Sequence, residues 1–289
     1  MKIIILIPIY NDWKSASRLL DEINSKISNL NCIFSIIFIN DASKEQQSIY
    51  APNLENLQSV KIINMKENRG HGICIATGLK YIFEKEEFDY VIPMDGDGED
   101  RPDEIKNFFE HINYSPNKTI VGERVKRSEN LFFKLCYSIH KILTFVFTGK
   151  SIKFGNFTCI PKLTVEKMIK EKATWSSFSG SLTKVEKDRS TVPSIRGTRY
   201  FGPSKMSFKN LITHSISIIS VFKIDVFIRS MLFLLVYFFL IHQSITLIMF
   251  IPVIFIVVML ISVFIVSKRE NLNELNNSLS NITNIKIYK

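Results

Sequence analysis

Two long apolar runs in the second half of the chain restrict its fold more than any other feature. Val226–Ile241 is apolar except for Arg229 and Ser230, and Ile245–Val266 is apolar apart from Thr246 and Ser262, with Pro252 near one side. A helix crossing a bilayer needs about 20 such residues, a length that a buried core helix of a soluble domain seldom reaches. The runs therefore predict a membrane-spanning hairpin, with Arg229 close enough to one end to snorkel its charge out. The connector His242-Gln243-Ser244 has no lysine or arginine, whereas Lys223 and Arg229 lie at the start of the pair and Lys268 and Arg269 follow it. Basic residues favour the cytoplasmic side, so both flanks are expected there. Just upstream, Phe208, Leu211, Ile212, Ile219 and Phe222 share one helical face, and Lys209, Thr213, Ser217 and Ser220 mostly share the other. That pattern predicts an amphipathic helix lying in the membrane interface. The asparagine-rich segment Glu270–Lys289 is expected to pack poorly.

The preceding residues alternate between short apolar runs and helical periodicity. Met1–Ile9 reads as a buried strand, Tyr10-Asn11-Asp12 as a polar turn, and Leu19, Leu20, Ile23 and Ile27 as one face of a helix. Strands follow at Cys32–Ile39, ending in Asn40-Asp41-Ala42-Ser43, and at Val60–Met65, ending in Glu67-Asn68-Arg69-Gly70. A helix over Ile73–Phe83 leads to a strand at Tyr90–Pro93, and Arg101-Pro102-Asp103-Glu104 opens another helix. Thr119–Val121 is a short strand running into Gly122-Glu123-Arg124. Leu131–Phe147 reads either as a lipid-touching segment or as an amphipathic core helix. From Ser151 to Ser194 the pattern is mixed, with a helix near Leu163–Lys170. Strand and helix in alternation predict an α/β fold with a mostly parallel, doubly wound sheet that binds ligands at the strand carboxyl ends. Asp41, Arg69 and Asp95 then share one rim.

Composition excludes several functions. The net charge of +10 has neither zinc-finger spacing nor a ribonucleoprotein motif beside it, so anionic lipid or phosphate partners are expected and nucleic acid is not. Cys32, Cys74, Cys136 and Cys159 have no paired spacing and read as reduced thiols. Ile3–Ile9, broken at Pro8, is not a secretion signal. There is no GxxxxGK[ST] loop, and Gly70-His71-Gly72 continues to Ile75 where a dinucleotide fingerprint requires glycine. The five histidines lack metal-ligand spacing, and no Ser-His-Asp triad can be argued.

Asp95-Gly96-Asp97-Gly98-Glu99 places three acids at alternate positions directly after a predicted strand. In extended chain such side chains point the same way and can converge on a hard cation, while the glycines permit close approach. An EF-hand loop is excluded, because its glycine and final acid positions hold Asp100 and Lys106. A solvated acidic turn is the competing reading. Arg196, Arg199 and Lys205 surround Gly202-Pro203-Ser204, either a cationic group suited to a diphosphate or a solvated basic loop. A divalent cation bridging the acids to the diphosphate of a nucleotide sugar would make both clusters self-consistent.

In order along the chain, these elements resemble glycosyltransferase family 2 enzymes of GT-A fold, and within them the polyprenyl-phosphate glycosyltransferases similar to dolichyl-phosphate mannose synthase and the phage-type GtrB enzymes. Ile7-Pro8-Ile9-Tyr10-Asn11 resembles the opening strand, which implies donor contacts for Pro8, Tyr10 and Asn11. Asn40-Asp41-Ala42-Ser43 resembles the DDGS element and gives Asp41 the nucleotide base. Asn68-Arg69-Gly70 resembles the NxG element, which implies a donor contact for Arg69. Asp95-Gly96-Asp97-Gly98-Glu99 resembles the DADLQ metal motif, implying Mg2+ or Mn2+ at Asp95, Asp97 and Glu99, with Gly96 against the donor. Val121-Gly122-Glu123-Arg124 resembles GSR, and Arg199 with Gly202-Pro203-Ser204-Lys205 resembles R-x-x-G-x-SK.

The resemblance implies inverting transfer from a nucleotide-diphosphate sugar to a polyprenyl phosphate lipid. Asp97, Arg124 and Arg127 are the implied catalytic residues. Arg124, Arg127, Ser204 and Lys205 hold the acceptor phosphate, and Arg199 and Lys205 also serve the donor. It further implies residues 1–207 as a cytoplasmic catalytic domain, 208–223 as an interfacial helix, 224–267 as the membrane hairpin and 268–289 as a cytoplasmic tail. The enzyme would sit in the inner membrane and could form a homo-oligomer. Alternatives are transfer to a growing surface glycan and a membrane-anchored nucleotide-sugar binder without turnover. Asn40, Glu99 and Asn156 depart from the pattern. The last stands where relatives commonly carry the acid of Gly-Asp-Phe, and an amide suits a phosphate acceptor, which is already ionised and needs no general base.

Overall fold

The strand that organises the sheet is β1 (Lys2–Ile9), in which every residue after Lys2 is buried. Continuous burial of this kind means that both faces are covered, the condition of a central strand in a parallel sheet. The computed structural model, which describes residues 1–49, 53–126, 131–203, 207–243 and 246–289, shows why. β1 pairs in parallel with β2 (Ile33–Asn40) on one side and β4 (Tyr90–Pro93) on the other, and β2 pairs in parallel with β3 (Leu57–Met65). On the far side of β4 the direction changes: β6 (Phe154–Pro161) runs antiparallel to β4 and to β5 (Thr119–Lys126), and β5 pairs in parallel with β7 (Arg189–Ile195). The strand order is β7-β5-β6-β4-β1-β2-β3-β8.

Helices cover both faces. α1 (Trp13–Lys26) buries Trp13, Ala16, Leu19, Leu20 and Ile23 in one cluster with Ile5, Ile7, Ile36, Phe38 and Ile62 from the strands. α2 (His71–Lys85) buries Cys74, Ile75, Leu79 and Ile82, and α3 (Ile105–Tyr114) buries Ile105, Phe108 and Ile112. α5 (Lys162–Ile169) and α6 (Phe178–Val185) follow β6, with the Ser177 hydroxyl capping α6 by accepting from Gly180 N. The four cysteines are free thiols.

The chain divides into two compact units. Met1–Glu129, Lys153–Lys205 and Asn271–Lys289 form the first, and Asn130–Ile152 with Met206–Glu270 form the second. The second unit contains α4 (Leu131–Thr148), α7 (Phe208–Ser220), α8 (Lys223–Ile241) and α9 (Phe250–Ser267). Phe147, Ile219, Val226, Met259 and Val263 meet at its centre. α4 thus belongs with the apolar helices, although it lies within the span 1–207 assigned by sequence to a single domain. Its residues Leu135, Ile139, Ile142 and Val146 are exposed along one side. α8 is long and apolar enough to cross a membrane, as is the helical segment beginning at Leu247, and Phe239 and Leu247 are 74% and 89% exposed. Lys223 Nζ and Glu270 Oε2 lie 3.2 Å apart at the two ends of the hairpin.

The expectation of a poorly packed tail is corrected. After the hairpin, α10 (Leu272–Asn276) buries Leu275 against Ala76 and Trp175, and β8 (Ile282–Ile287) pairs antiparallel with β3 as an edge strand. Asn40 Nδ2 donates to Asn64 Oδ1 at 2.7 Å, and Asn64 Nδ2 donates to Asn284 Oδ1 at 2.8 Å. An amide ladder therefore ties the tail to β2 and β3. It also gives a reason for asparagine at position 40, since a carboxylate has no hydrogen to donate to Asn64.

Leu275 is fully buried, so Leu275→Ala is expected to cost about 2 kcal/mol or more. A thermal melt of the detergent-solubilised protein should show a fall of several degrees; an unchanged midpoint would show that the tail does not pack on the first unit.

Candidate active site

The carboxyl ends of β1, β2, β3 and β4 share one rim because the strands are parallel and nearly in register. Pro8 is buried within β1, and Tyr10, just beyond it, is 38% exposed. Asn11 adopts a positive φ of 49°. Its Oδ1 accepts from Lys44 N at 2.8 Å and Glu45 N at 3.2 Å, and its own N donates to the Ser43 hydroxyl at 2.9 Å, which joins the two rim loops. Asp41 is buried, and its two carboxylate oxygens accept from Arg69 N at 2.8 Å and Gly70 N at 2.9 Å. Asp41 therefore fixes the turn into α2, whose first residue, His71, places Nε2 3.3 Å from Asp95 Oδ1.

The acid loop after β4 is compressed against a second segment, residues 196–200. Gly197 N donates to Glu99 O at 2.8 Å and Tyr200 N donates to Asp97 O at 2.9 Å. Gly98 has a φ of 87°, and a Cβ there would lie 2.4 Å from the Tyr200 ring, so only glycine lets the two segments meet. This backbone pairing brings two arginines onto the acids. Arg199 Nη1 binds Asp97 Oδ2 at 2.6 Å while Nη2 binds Asp12 Oδ2 at 2.5 Å, bridging the loop to the start of α1. Arg196 binds Glu99 and lies 3.7 Å from Asp95 Oδ2. Asn156 Nδ2 donates to Asp95 Oδ1 at 3.3 Å and lies 2.7 Å from His71 Nε2.

Further contacts hold residues 194–200 in place. Glu104, buried just before α3, accepts from the Ser194 hydroxyl and from Ile195 N, both at 2.7 Å. The Tyr200 hydroxyl donates to Glu22 Oε2 at 2.6 Å, and the Arg18 guanidinium lies 4.4 Å from the Tyr200 ring centre. Arg124 reaches the same region: its Nη2 would lie 2.5 Å from a Cβ on Gly155, and its charge acts on Asp95 and Asp100.

Burial and like charge set the protonation of the acids. Burial opposes ionisation of Asp95, yet His71, Arg196, Arg124 and the Asn156 hydrogen bond outweigh it and hold the group below its ordinary range. Burial and the Asp95 charge push Asp97 up, and burial pushes Glu99 up against the pull of Arg196. Asp100 is buried, accepts from Asp95 N at 2.9 Å, and is pushed up to about 7 by burial and by Asp95. Although burial works against the charge on Arg196, Asp95, Asp100, Glu99 and Asp97 together raise its pKa.

The structure thus gathers Asp95, Asp97, Glu99, Arg124 and Arg199 at one end of the sheet. Asp97 and Glu99 each turn to an arginine, and among the described residues no three His, Cys, Asp or Glu side chains converge as a metal cage. Arg127, Ser204 and Lys205 lie outside the described residues. The sequence assigned no role to Asp12, His71, Asp100 or Glu104, and left Arg196 as one member of a basic loop. The signal for Asp100 was its place next to the acid run. Asp12 and Glu104 carry no local signal, because their partners lie 187 and 90 or more positions away.

A model described as Glycosyl transferase family 2 matches residues 4–171, more than half of the chain. The chain belongs to this family. Among its relatives, the undecaprenyl-phosphate 4-deoxy-4-formamido-L-arabinose transferase of Salmonella choleraesuis is 26% identical over 221 residues, 73% of this chain and 64% of that protein. The protein of that name from Salmonella newport gives the same values, and the chain spans less than two thirds of the length of either. Mannosyl-3-phosphoglycerate synthase from Rubrobacter xylanophilus superposes with a TM-score of 0.55 at 11% identity, covering 76% of this chain and 72% of that one. A mannosyltransferase from Pyrobaculum calidifontis, in complex with GDP-Man and Mn2+, superposes with a TM-score of 0.52 at 12% identity over 96% of this chain and 74% of its own. These structural neighbours share the GT-A fold of this family 2 chain, with its mostly parallel sheet.

Asp100 gives a pH prediction. Its folded pKa of about 7 exceeds the ~3.9 of an exposed aspartate, so its favourable contribution is present below pH ~4 and is lost as pH rises through about 7. In metal-free protein, Asp100→Asn is expected to flatten the decline of melting temperature from pH ~5 to ~8 relative to the native sequence. Parallel profiles for the two proteins would contradict the assignment.

Proposed function

We propose that this family 2 chain is an inverting glycosyltransferase that moves a sugar from a nucleotide-diphosphate sugar to a membrane polyprenyl phosphate. The observation that carries this reading is the rim cluster, with Asp95, Asp97, Arg196 and Arg199 packed together, in a chain that also carries an apolar two-helix hairpin. The donor's diphosphate is water-soluble and anionic, and the acceptor is anionic and lipid-anchored. The chain supplies features suited to both. The names of the Salmonella relatives, which specify undecaprenyl phosphate, support this acceptor class.

The proposed donor site uses the rim. Pro8, Tyr10 and Asn11 would form its floor, Arg69 would contribute a cation to it, and Asp41, with its oxygens on Arg69 N and Gly70 N, shapes the loop that would face the base. Diphosphate oxygens can replace carboxylates on Arg199 and Arg196, since planar guanidinium groups bind both in the same paired fashion. Gly96 lets a ligand approach closely: a Cβ there would already lie 3.0 Å from Pro8 O.

The donor set fits a hard divalent cation such as Mg2+ or Mn2+. Asp95 is held ionised, and Asp95 and Asp97 offer carboxylate oxygens at one strand end, while such ions commonly take only one or two carboxylates beside substrate phosphates. Asp95 and Asp97 would hold it, and Glu99, engaged by Arg196, would balance the site's charge from close by. Bound there, the cation would neutralise the departing diphosphate.

For the acceptor, Arg124 is the proposed phosphate ligand, with Arg127, Ser204 and Lys205 as further candidates. Asn156, hydrogen-bonded to Asp95, is an amide and cannot accept a proton as a base would. A lipid phosphate requires no base, because its oxygen is already ionised when it attacks the anomeric carbon. A membrane hairpin in the same chain would keep the enzyme on the bilayer that carries the acceptor. The tail strand β8 joins the same sheet as β1–β7, which supports a chain that would enter and leave the membrane on one side. Lys223, Arg229, Lys268 and Arg269 make that side the cytoplasmic one in this reading.

Membranes containing the protein, given undecaprenyl phosphate, Mn2+ and a panel of labelled nucleotide sugars, are expected to form a mild-acid-labile labelled lipid. Asp97→Asn should lower kcat about 100-fold or more, the scale of losing one preorganised electrostatic contact to a developing charge. No labelled lipid from any donor would refute the reading, and label appearing only on a glycan would redirect it to another acceptor.

A further inference from the structure

We propose that Glu274, in the segment following the membrane hairpin, is a positioning residue for the donor site, acting through Arg69. The inference rests on the proposed role of Arg69 in donor binding. Glu274 Oε2 lies 3.0 Å from Arg69 Nη1, in a pair bridging residues 205 positions apart. The Arg69 guanidinium also lies 5.5 Å from the centre of the Trp175 ring, and Glu67 Oε1 stands 3.8 Å from Arg69 Nε. Arg69 is thus held on three sides, with its backbone N–H fixed by Asp41.

The direction of the Glu274 side chain is informative. Asn271 caps α10 by accepting from Glu274 N at 3.0 Å, and an acid three residues after a cap commonly turns back to the cap's own N–H. Glu274 instead reaches out to Arg69. Its backbone is fixed by the neighbouring Leu275, which is buried with Ala76 and Trp175 and contacts the partly buried Ile73. Ile73 and Ala76 belong to the first two turns of α2, so the tail packs on the same helix end that carries His71 to Asp95. Without Glu274 the guanidinium would retain only the looser Glu67 contact and the stacking on Trp175, and it would sample other rotamers. A side chain that must be ordered on binding weakens affinity. Arg69 and Glu274 are 25% and 43% exposed at the side chain, so the pair is worth up to about 1 kcal/mol, or about fivefold in binding.

The test uses the full-length protein in detergent with Mn2+, titrated calorimetrically with UDP and with GDP. Arg69→Ala is expected to raise the Kd of whichever nucleotide binds. Glu274→Ala should raise it about three- to fivefold, Glu274→Gln should act in the same direction, and Glu274→Ala should add nothing in an Arg69→Ala background. Melting temperatures of the Glu274 variants should stay near the native value, separating positioning from general loosening. If Arg69→Ala weakens binding while Glu274→Ala does not, or if the two losses add in full, the positioning role is overturned. If Arg69→Ala binds like the native protein, or neither nucleotide binds, the donor reading beneath it fails first.

Discussion

Carboxylates crowded at one strand end must be compensated, and much of the first unit is arranged to do so. Asp95, Asp97, Glu99 and Asp100 lie within six residues, and Asp12 joins them through Arg199. Left unpaired in a partly buried site, such charges would repel one another and lose their hydration. Arg196 and Arg199 supply the compensation, yet both come from a segment about a hundred residues away. Glu104 fixes the end of β7, and Tyr200 anchors on Glu22, so that the arginines arrive in register with the acids. Removing one partner of such a group leaves an uncompensated charge, so the network couples α1, the acid loop and β7.

The same compensation bears on binding. In the proposed reading, an anion and a cation would enter together by exchanging partners with acids and arginines that already pair with one another. A diphosphate alone would expel acids, and a cation alone would strand arginines. Joint arrival avoids both costs. Asp100 behind the loop and His71 in front of it adjust this balance, since one resists ionisation and the other favours the charge on Asp95.

The route of the chain contributes as much as its chemistry. After two apolar helices it returns to the first unit, adds β8 to the sheet and extends the amide ladder from Asn40 through Asn64 to Asn284. A free β3 edge would expose unpaired backbone groups and invite association with other strands. The tail covers that edge, and a few residues earlier it places an acid beside Arg69.

The sequence by itself determined the elements whose burial leaves a periodic mark. The continuous apolar runs of β1, β2 and β4 were legible because strands covered on both faces must be apolar throughout, and the hairpin was legible because its helices are apolar over a span long enough to cross a membrane. The acid loop was legible as well, since alternation and glycine are local properties. The tertiary structure alone decided what rests on long-range backbone pairing and on polar partners. β8 was missed because an edge strand is mostly exposed, and backbone hydrogen bonds can recruit it without an apolar signature. Asp12, Glu104 and Glu274 were missed for a related reason: each is an ordinary surface-type residue until folding brings a partner from 90 to more than 200 positions away. Only in that setting does the acid loop after β4 become a compensated site instead of a solvated turn.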